Sequence, residues 1–310
     1  MPHWKKLGRI FHLGPSSDRS TTHTQVPTAL IKRDVVRVFF APRNNDGKSY
    51  LAYVDFARDD LTKVVGKNMQ SAMEFGKPGT FDDEGIMPAY VISQPDGIWM
   101  YYSGWNRRIS VPYHNSTGLA VSHDGGNTFV RKFEGPVMDR TPEEPYLAVT
   151  PSVLREDDMW RIWYISGLRW EEIEGKYEPV YVIKFAHSKD GIFWERPNVQ
   201  CIPQNHPLEA FSHPTVIKRA GIYHMWFCHR HSEDYRDGKG SYRIGYARSN
   251  DGMAWTRLDS EAGLAPSANG WDSTMQCYPY VLEIDGRFCM FYNGNGFGQS
   301  GIGLAVLEEW

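Results

Sequence analysis

The sequence lacks the features that mark several common classes of protein. Lysine and arginine number 34 against 37 aspartate and glutamate residues, and a net charge of −3 implies no general attraction to nucleic acid or to a membrane surface. The glycine-rich loops of nucleotide-binding proteins and the nucleophile elbow of α/β-hydrolases are absent. The 310 residues include four cysteines, which show no metal-binding spacing: Cys201, Cys228, Cys277 and Cys289.

Long apolar runs are missing as well. Residues 1–11 contain no apolar run as long as a signal peptide needs, and no apolar segment of the chain approaches the length that spans a membrane. We therefore expect a cytoplasmic protein with reduced cysteines, and neither nucleic acid nor a membrane as its partner.

The sequence contains instead a unit that is repeated five times. In each copy, a proline stands near the start of an apolar strand, and a turn and a second apolar or aromatic strand follow. The five prolines are 61, 63, 63 and 65 residues apart: Pro27, Pro88, Pro151, Pro214 and Pro279. A fixed period with this content is the sequence signature of a β-propeller.

Each full repeat has four predicted strands, because a third strand ends in a Ser-x-Asp-Gly turn and a fourth follows it. The turns are at residues 122–125, 188–191 and 249–252. The fifth repeat ends at Trp310 without a fourth strand, whereas residues 3–9 resemble one. We therefore predict an all-β, five-bladed β-propeller that forms a single domain of residues 1–310, with its last blade closed by the N-terminal strand.

Acidic residues precede the entry strands of several repeats. In a propeller, the loop that enters the first strand of a blade and the loop that leaves the second strand lie on the same face. Carboxylates gathered there could divide general acid and general base roles, although each could instead cap a turn. The predicted catalytic residues are Glu84, Glu209, Asp272 and His213.

The same two sets of loops supply the candidates for substrate binding. Arginines follow the second strands of four repeats, and arginine suits bidentate binding of phosphate or carboxylate, although these arginines could also pair with the neighbouring acids. Aromatic side chains such as Trp105 could stack on sugar rings. The predicted binding residues are His23, Gln25, Arg43, Asp83, Trp105, Arg107, Glu144, Arg169, His229, Arg230, Gln276 and Asn293.

Histidines offer an alternative arrangement. With Glu84 or Glu209, four of them could converge on a divalent metal: His23, His213, His229 and His231. No metal-type spacing supports this arrangement, so we expect no cofactor and keep a metal in the channel as the alternative.

Three kinds of segment carry a resemblance to a known superfamily. They are the Pro-x-x-Val entry strands, the second strand Trp-Met-Tyr-Tyr-Ser-Gly at residues 99–104 and the turn Ser-Asn-Asp-Gly-Met-Ala-Trp at residues 249–255. Over nearly the whole chain, the sequence resembles the five-bladed glycoside-processing propellers, which include the arabinanase and xylosidase group, the invertase group and the mannoside phosphorylase group. The resemblance is more specific for fold than for function.

The resemblance implies an aspartate beside the entry proline of the first blade as base or nucleophile, a second aspartate as helper, and a glutamate as acid in a later blade. In this chain, Val26 and Thr150 precede the first and third entry prolines, and only the acid has counterparts, Glu209 and Glu84. Two interpretations follow: a divergent member that acts on an unusual sugar, or one that has lost hydrolysis.

We predict a carbohydrate-active enzyme that cleaves or transfers the glycosidic bond of an anionic sugar, either phosphorylated, nucleotide-linked or uronic. Glu209 would be the general acid and Glu84 the base or a ligand of a substrate hydroxyl, with His213 and Asp272 tuning them. The resemblance favours inversion. The anionic preference is motivated by Arg107, Arg169 and Arg230. The alternatives are a metal-assisted sugar isomerase, epimerase or lyase, and a propeller that binds carbohydrate without catalysis.

Overall fold

The computed structural model describes residues 1–14, 21–236 and 238–310, and its regular structure is almost entirely extended. A 3₁₀ turn spans Asp259–Glu261, and one helical turn, α1, spans Asn295–Gly298. The strands of the described residues are β1 (His3–Phe11), β2 (Thr22–Ile31), β3 (Val35–Arg43), β4 (Ala52–Ala57), β5 (Val64–Asn68), β6 (Gly85–Gln94), β7 (Gly97–Arg107), β8 (Tyr113–Ser122), β9 (Val130–Arg131), β10 (Ala148–Glu156), β11 (Met159–Ile173), β12 (Lys176–Ser188), β13 (Glu195–Gln200), β14 (Glu209–Arg219), β15 (Ile222–His231), β16 (Arg243–Ser249), β17 (Thr256–Arg257), β18 (Cys277–Ile284), β19 (Arg287–Asn293) and β20 (Ile302–Glu309).

The strands of the described residues pair in sets of four antiparallel neighbours. Three sets are separate sheets, in the orders β2-β3-β4-β5, β14-β15-β16-β17 and β1-β20-β19-β18. The other two sets, β6 to β9 and β10 to β13, are joined into one larger sheet by a parallel pairing of Ala148 with Ser116. Each set corresponds to one predicted repeat.

Local chemistry explains why the third strands turn where they do. In the first Ser-x-Asp-Gly turn, Ser122 Oγ accepts a hydrogen bond from the N–H of Gly126 at 2.8 Å and donates one to Asp124 Oδ1 at 2.7 Å. Gly125 lies at φ 74°, which a side chain would disfavour. Equivalent hydrogen bonds hold the turns that begin at Ser188 and Ser249. The predicted turns are therefore confirmed.

Apolar clusters fill the space between neighbouring sets. One cluster joins Phe39 of the first set to Tyr102 of the second, and Trp99 stacks on Trp160 of the third with ring centroids 5.8 Å apart. Further clusters join the third set to the fourth and the fourth to the fifth. Another joins the fifth to the first, where Phe291 lies against Phe56. Each set therefore buries one face against the set before it and the other against the set after it.

The N-terminal strand belongs to the last set. β1 pairs with β20 from His3 opposite Glu309 to Phe11 opposite Ile302. Trp4 is buried against Trp226 with ring centroids 5.3 Å apart, and Lys6 Nζ lies 2.6 Å from Asp272 Oδ2. The predicted pairing of the N-terminal strand with the last strand is confirmed, whereas the number of blades and the closure of a ring stay predictions.

Among the described residues, no helix is both long enough and apolar enough to cross a membrane.

Deleting residues 1–10 should destabilise the protein by at least about 3 kcal/mol, because β20 becomes an open edge, the buried contact between Trp4 and Trp226 is lost, and Asp272 loses its cation. The free energy of unfolding in urea measures the change. Lys5→Ala is the matched control: both Lys5 and its partner Glu308 are exposed, so it should stay within about 0.5 kcal/mol of the wild type. Equal stability of the truncated and full-length chains would contradict the stabilising role of β1.

Candidate functional site

A cavity of about 370 Å³ lies where the first strands of the five sets begin. Each of these strands contributes a residue to the wall: Val26 from β2, Met87 from β6, Thr150 from β10, Ser212 from β14 and Tyr278 from β18. This is the face on which the repeat predicts that the entry loops meet. We call this cavity the channel pocket.

The backbone is distorted beside the entry prolines at four of these five points. The residue before the proline has a positive φ: 59° at Val26, 53° at Thr150, 47° at His213 and 54° at Tyr278. The strand register shifts at the same places, which marks a β-bulge. Since φ > 0 is unfavourable for any residue that carries a Cβ, each such residue stores about 1–3 kcal/mol of strain. Strain repeated around one cavity supports a functional role for it.

A buried arginine contributes the main positive charge of the pocket. Arg230 is 1% exposed and donates hydrogen bonds to Ser232 Oγ at 2.9 Å, to the carbonyl of Pro179 at 3.0 Å and to Tyr242 Oη at 3.2 Å. Within the described parts of the chain, no carboxylate lies within 4.0 Å of its guanidinium. A guanidinium stays protonated in proteins, so Arg230 places a buried charge at the pocket wall. Hydrogen bonds and the face of the Tyr235 ring, 3.8 Å from the guanidinium carbon, stabilise this charge in place of a carboxylate.

A second arginine, at the mouth of the pocket, is likewise without a carboxylate partner among the residues described. Arg43 is exposed, and its Nε donates to Gln25 Oε1 at 3.0 Å. Its charge adds to burial in lowering the pKa of His23 to about 4, so that this imidazole is neutral at physiological pH.

A third arginine has a carboxylate partner. Arg236 Nη1 lies 2.5 Å from Glu178 Oε1, and the hydroxyl of Tyr235 donates to Glu178 Oε2 at 2.7 Å. Tyr235 and Arg236 line the pocket, and Glu178, 5% exposed, lies behind them.

Sequence reasoning missed this group. The feature that marks the group is the length of two strands: β11 has 15 residues and β12 has 13. This extra length places Glu178 beyond the ends of the second and third strands of the other sets.

Aromatic side chains form much of the remaining wall. Tyr181 and Tyr242 share a hydrogen bond of 2.7 Å between their hydroxyls, and Tyr113 packs edge-on against Trp170. Rings and amide or hydroxyl groups at one wall can stack on sugar rings and bind their hydroxyls. Other aromatic and polar lining residues are Trp105, Phe297, Ser103 and Asn115.

Of the sixteen predicted site residues, four line the channel pocket: Gln25, Arg43, Trp105 and Arg230. The structure brings these four together and places the other twelve elsewhere. None of the residues that line the pocket in the described chain is an aspartate or a glutamate.

Most of the predicted acids belong to a repeated buried ion pair. In four sets, a carboxylate at or just before the start of the first strand contacts a tyrosine or histidine of the second strand and a cation of the outermost strand. The tyrosines follow their carboxylates by 20 residues. We call these groups the blade clamps: Asp82 with Tyr102 and Arg131, Glu144 with Tyr164 and Arg196, Glu209 with His229 and Arg257, and Asp272 with Tyr292 and Lys6.

The clamp around Glu209 bears on its predicted role as a general acid. Arg257 donates to both carboxylate oxygens, at 2.6 and 2.8 Å, and His229 Nδ1 lies 3.2 Å from Oε1. Burial alone would raise the pKa of Glu209, but the hydrogen bonds from Arg257 and His229 hold it well below its usual value. Glu209 therefore stays ionised at neutral pH, whereas a general acid needs a proton to give.

The predicted base and its neighbours lie outside the pocket as well. Glu84 sits between Lys48 and Arg107, at 3.5 and 3.4 Å, and Asp83 Oδ2 accepts a hydrogen bond from the backbone of Gly79 at 2.7 Å. These contacts describe a half-buried ion-pair network rather than a pair of carboxylates that face each other across the cavity. In the same way, Arg169 is paired with Glu171.

Asp272, Gln276 and Asn293 stabilise the last set. Gln276 Nε2 donates to Asp272 Oδ2 at 2.9 Å, and Asn293 binds the backbone of Val26 at 2.9 Å and of Thr24 at 2.8 Å. Asn293 thereby ties the end of β19 to the entry strand of the first set.

The histidines do not assemble the predicted donor set. His213 is buried, with Nδ1 3.1 Å from the carbonyl of Pro279, and burial lowers its pKa to about 4. His229 lies in a clamp, and His231 stacks on His206. Over residues 1–14, 21–236 and 238–310, no group of three or more histidine, cysteine, aspartate or glutamate residues is arranged to hold a metal ion.

Comparison with known proteins gives two kinds of match. No protein-family model matches the sequence. Two proteins of Mycobacterium tuberculosis, Uncharacterized protein MT1551 and Uncharacterized protein Rv1502, are each 34% identical to it over 308 residues, 99% of this chain and 99% of each relative.

Solved structures match in fold. A glycoside hydrolase superimposes with a TM-score of 0.73 at 17% identity, over 98% of this chain and 92% of that one. A glycosyl hydrolase from Bacteroides ovatus gives 0.67 at 16% identity over 92% and 84%. A thermostable family-43 glycoside hydrolase gives 0.64 at 15% over 96% and 92%. The chain shares the fold of these three glycoside hydrolases, which confirms the resemblance seen in the sequence.

The clamps predict an acid-sensitive stability. Burial would raise the pKa of Glu144 and of Glu209, but hydrogen bonds from arginine and other donors lower both below their usual range. Their contribution is therefore fully present above the unfolded-state pKa of about 4.5 and is lost as the pH falls below it. Glu144→Gln should cost about 3–5 kcal/mol at pH 7, because Arg196 keeps a buried, unpaired charge.

Urea unfolding between pH 7 and pH 3 measures both effects, and the loss caused by Glu144→Gln should shrink towards pH 3. Glu308→Gln, at an exposed pair, is the control and should change stability by less than about 1 kcal/mol. A loss in Glu144→Gln that is independent of pH would show that the ion pair is not its cause.

Proposed function

The chain belongs to the family of the Mycobacterium tuberculosis proteins MT1551 and Rv1502, and we propose that it is a carbohydrate-active enzyme that takes an anionic sugar into the channel pocket. The glycoside hydrolase fold supports the carbohydrate class by analogy. The charge of the pocket supports the anion.

The proposal includes the architecture that presents the pocket. The five sets of four strands in the described chain, and the apolar clusters that join each set to the next and the fifth to the first, support a single five-bladed propeller of residues 1–310. In such a ring, the pocket is the mouth of the central channel. A cytoplasmic location stays a prediction.

The observation that carries the proposal is the buried charge of Arg230, with which no carboxylate of the described residues forms an ion pair. A buried guanidinium without a carboxylate is unfavourable by several kcal/mol unless hydrogen bonds and a counterion offset its desolvation. Neutral groups hold Arg230 in place, so the counterion is left for a ligand. A phosphate or carboxylate group on the sugar supplies it, and Arg43 at the mouth adds a second positive charge.

The walls around these arginines suit the rest of a sugar. Gln25, Asn115 and Thr150 present groups that can hydrogen bond to hydroxyls, and Trp105 and Tyr113 offer aromatic surfaces. Phosphorylated, nucleotide-linked and uronic sugars share the required chemistry, and the reaction class is cleavage or transfer at the glycosidic bond.

A second candidate function is binding without catalysis. It is favoured by the absence of aspartate and glutamate from the pocket lining in the described residues, because glycoside hydrolysis ordinarily uses two carboxylates. Turnover of any bound sugar separates the two functions.

Replacing Arg43 or Arg230, the two pocket arginines without a carboxylate partner among the described residues, should weaken binding of an anionic sugar. The expected loss is about 1.5–3 kcal/mol, or roughly 10-fold to 150-fold in Kd, because each supplies a charged hydrogen bond. Isothermal titration of Arg43→Ala and Arg230→Lys with glucose 1-phosphate, glucuronic acid and glucose measures the effect. Arg107→Ala and Arg169→Ala, which alter arginines outside the pocket, are the controls and should leave Kd unchanged. Equal affinity of the wild type for glucose and for both anionic sugars would overturn the proposal.

A further inference from the structure

One side chain of the channel pocket has the surroundings of an activated nucleophile. The hydroxyl of Tyr235 donates to Glu178 Oε2 at 2.7 Å, and Arg236 holds the other oxygen of that carboxylate at 2.5 Å. A nucleophile within hydrogen-bond reach of a base, with the base oriented by a third group, is the structural signature of covalent catalysis. Tyrosine serves as the nucleophile in some glycosidases.

Two cations lie over the ring of the same tyrosine. The guanidinium carbon of Arg230 is 3.8 Å from the ring centroid of Tyr235, and that of Arg236 is 4.5 Å from it. Positive charge on a tyrosine ring stabilises the phenolate that forms when the proton leaves. Burial raises the pKa of Tyr235, and Arg230 opposes that shift, so the phenol holds its proton at rest and Glu178 has a proton to accept.

The other tyrosines of the pocket provide an internal comparison. Tyr181 and Tyr242 hydrogen bond to each other at 2.7 Å and contact Arg230 through their hydroxyls. Within the described residues, neither of them donates to a carboxylate. Only Tyr235, among the described pocket tyrosines, combines a cation on its ring with a carboxylate on its hydroxyl.

We propose that Tyr235 is the nucleophile of the channel pocket, that Glu178 is the base that takes its proton, and that the substrate is a glycosyl phosphate or a nucleotide-linked sugar. This proposal rests on the proposed function and deepens it, because it assigns cleavage of the glycosidic bond to Tyr235 and Glu178, which lie outside the clamps.

The reaction has two steps. In the first, Tyr235 Oη forms a bond to the anomeric carbon, the phenolic proton moves to Glu178, and the bond between the anomeric carbon and the phosphate oxygen breaks, with its electron pair leaving on the phosphate. In the second, water attacks the anomeric carbon and releases a proton to solvent, while Glu178 returns its proton to the departing Tyr235 oxygen. The products are the free sugar and phosphate or a nucleotide, and neither step needs an oxidant or a reductant.

The leaving group follows from what the pocket contains. An alcohol leaving group needs a proton from a general acid, and the described lining offers no aspartate or glutamate for that purpose. A phosphate leaves as an anion, which requires stabilisation of negative charge rather than protonation. Arg43 and Arg230 supply that charge without a competing carboxylate.

Acetylation by N-acetylimidazole, with each tyrosine followed by peptide mass spectrometry, tests the pair without any sugar. Tyr235 should react about tenfold or more faster than Tyr181 and Tyr242, and Glu178→Gln should remove that advantage, because proton abstraction by a positioned base contributes at least this much. Glu308→Gln, at an exposed ion pair of β20, is the control and should leave the rate of Tyr235 unchanged. If the Glu178→Gln protein keeps its melting temperature and Tyr235 reacts as in the wild type, the nucleophile assignment is wrong.

The pH dependence of the wild-type rate keeps the test decisive if Glu178→Gln fails to fold. With Glu178 as base, the rate of Tyr235 should be level through neutral pH. An unassisted phenol, whose pKa burial raises here, would instead accelerate up to and beyond about pH 10. A steady rise towards pH 10 would also overturn the assignment.

Inorganic phosphate tests the leaving-group site separately. If calorimetry shows that phosphate binds, phosphate should also slow the acetylation of Tyr235. Arg43→Ala should weaken this protection about tenfold or more. Phosphate that binds but gives no protection would contradict the glycosyl phosphate assignment and leave anion binding intact. Absence of phosphate binding would contradict the anionic pocket itself, whatever the reactivity of Tyr235.

Discussion

The blade clamps are the interaction on which the rest of the structure depends. In each clamp, the carboxylate stands before the innermost strand and the cation stands on the outermost strand, so one ion pair spans the four strands of a set. Arg257 with Glu209 and Arg196 with Glu144 are both almost fully buried. Removing one member of such a pair leaves a charge in a region of low dielectric, so neither member is free to change its protonation state near neutral pH. The acids of the clamps therefore stabilise the fold.

The pairing of these acids within the clamps affects the electrostatics of the channel pocket. With the acids paired inside the sets, the described pocket lining keeps arginines, tyrosines and neutral polar groups. The chain is slightly acidic overall, at a net charge of −3, yet the described lining of the channel pocket contains arginines and no aspartate or glutamate. The strained residues at its rim, such as Val26 and Thr150, differ from the acids expected there.

The sequence contained most of the information about the fold and less about the site. The period of the entry prolines and the Ser-x-Asp-Gly turns are local signals, and the similarity of residues 3–9 to a fourth strand was enough to predict the pairing of β1 with β20. The site depends on where side chains point after the strands assemble. Glu209 and Arg43 both stand at strand ends on the same face, but the register of β17 in the assembled set brings Arg257 onto Glu209. Glu178 was missed because it belongs to a third strand that extends beyond its neighbours.

The pairing of β1 with β20 also has a consequence for biosynthesis. Lys6 and Asp272 are separated by 266 positions in the chain, so the contact between them forms only after all the intervening residues have been synthesised. Until β20 has also been made, β1 has no strand beside it. A nascent chain of this kind must keep β1 from pairing with other chains while the intervening sets are made, because contacts of such long range form late in folding.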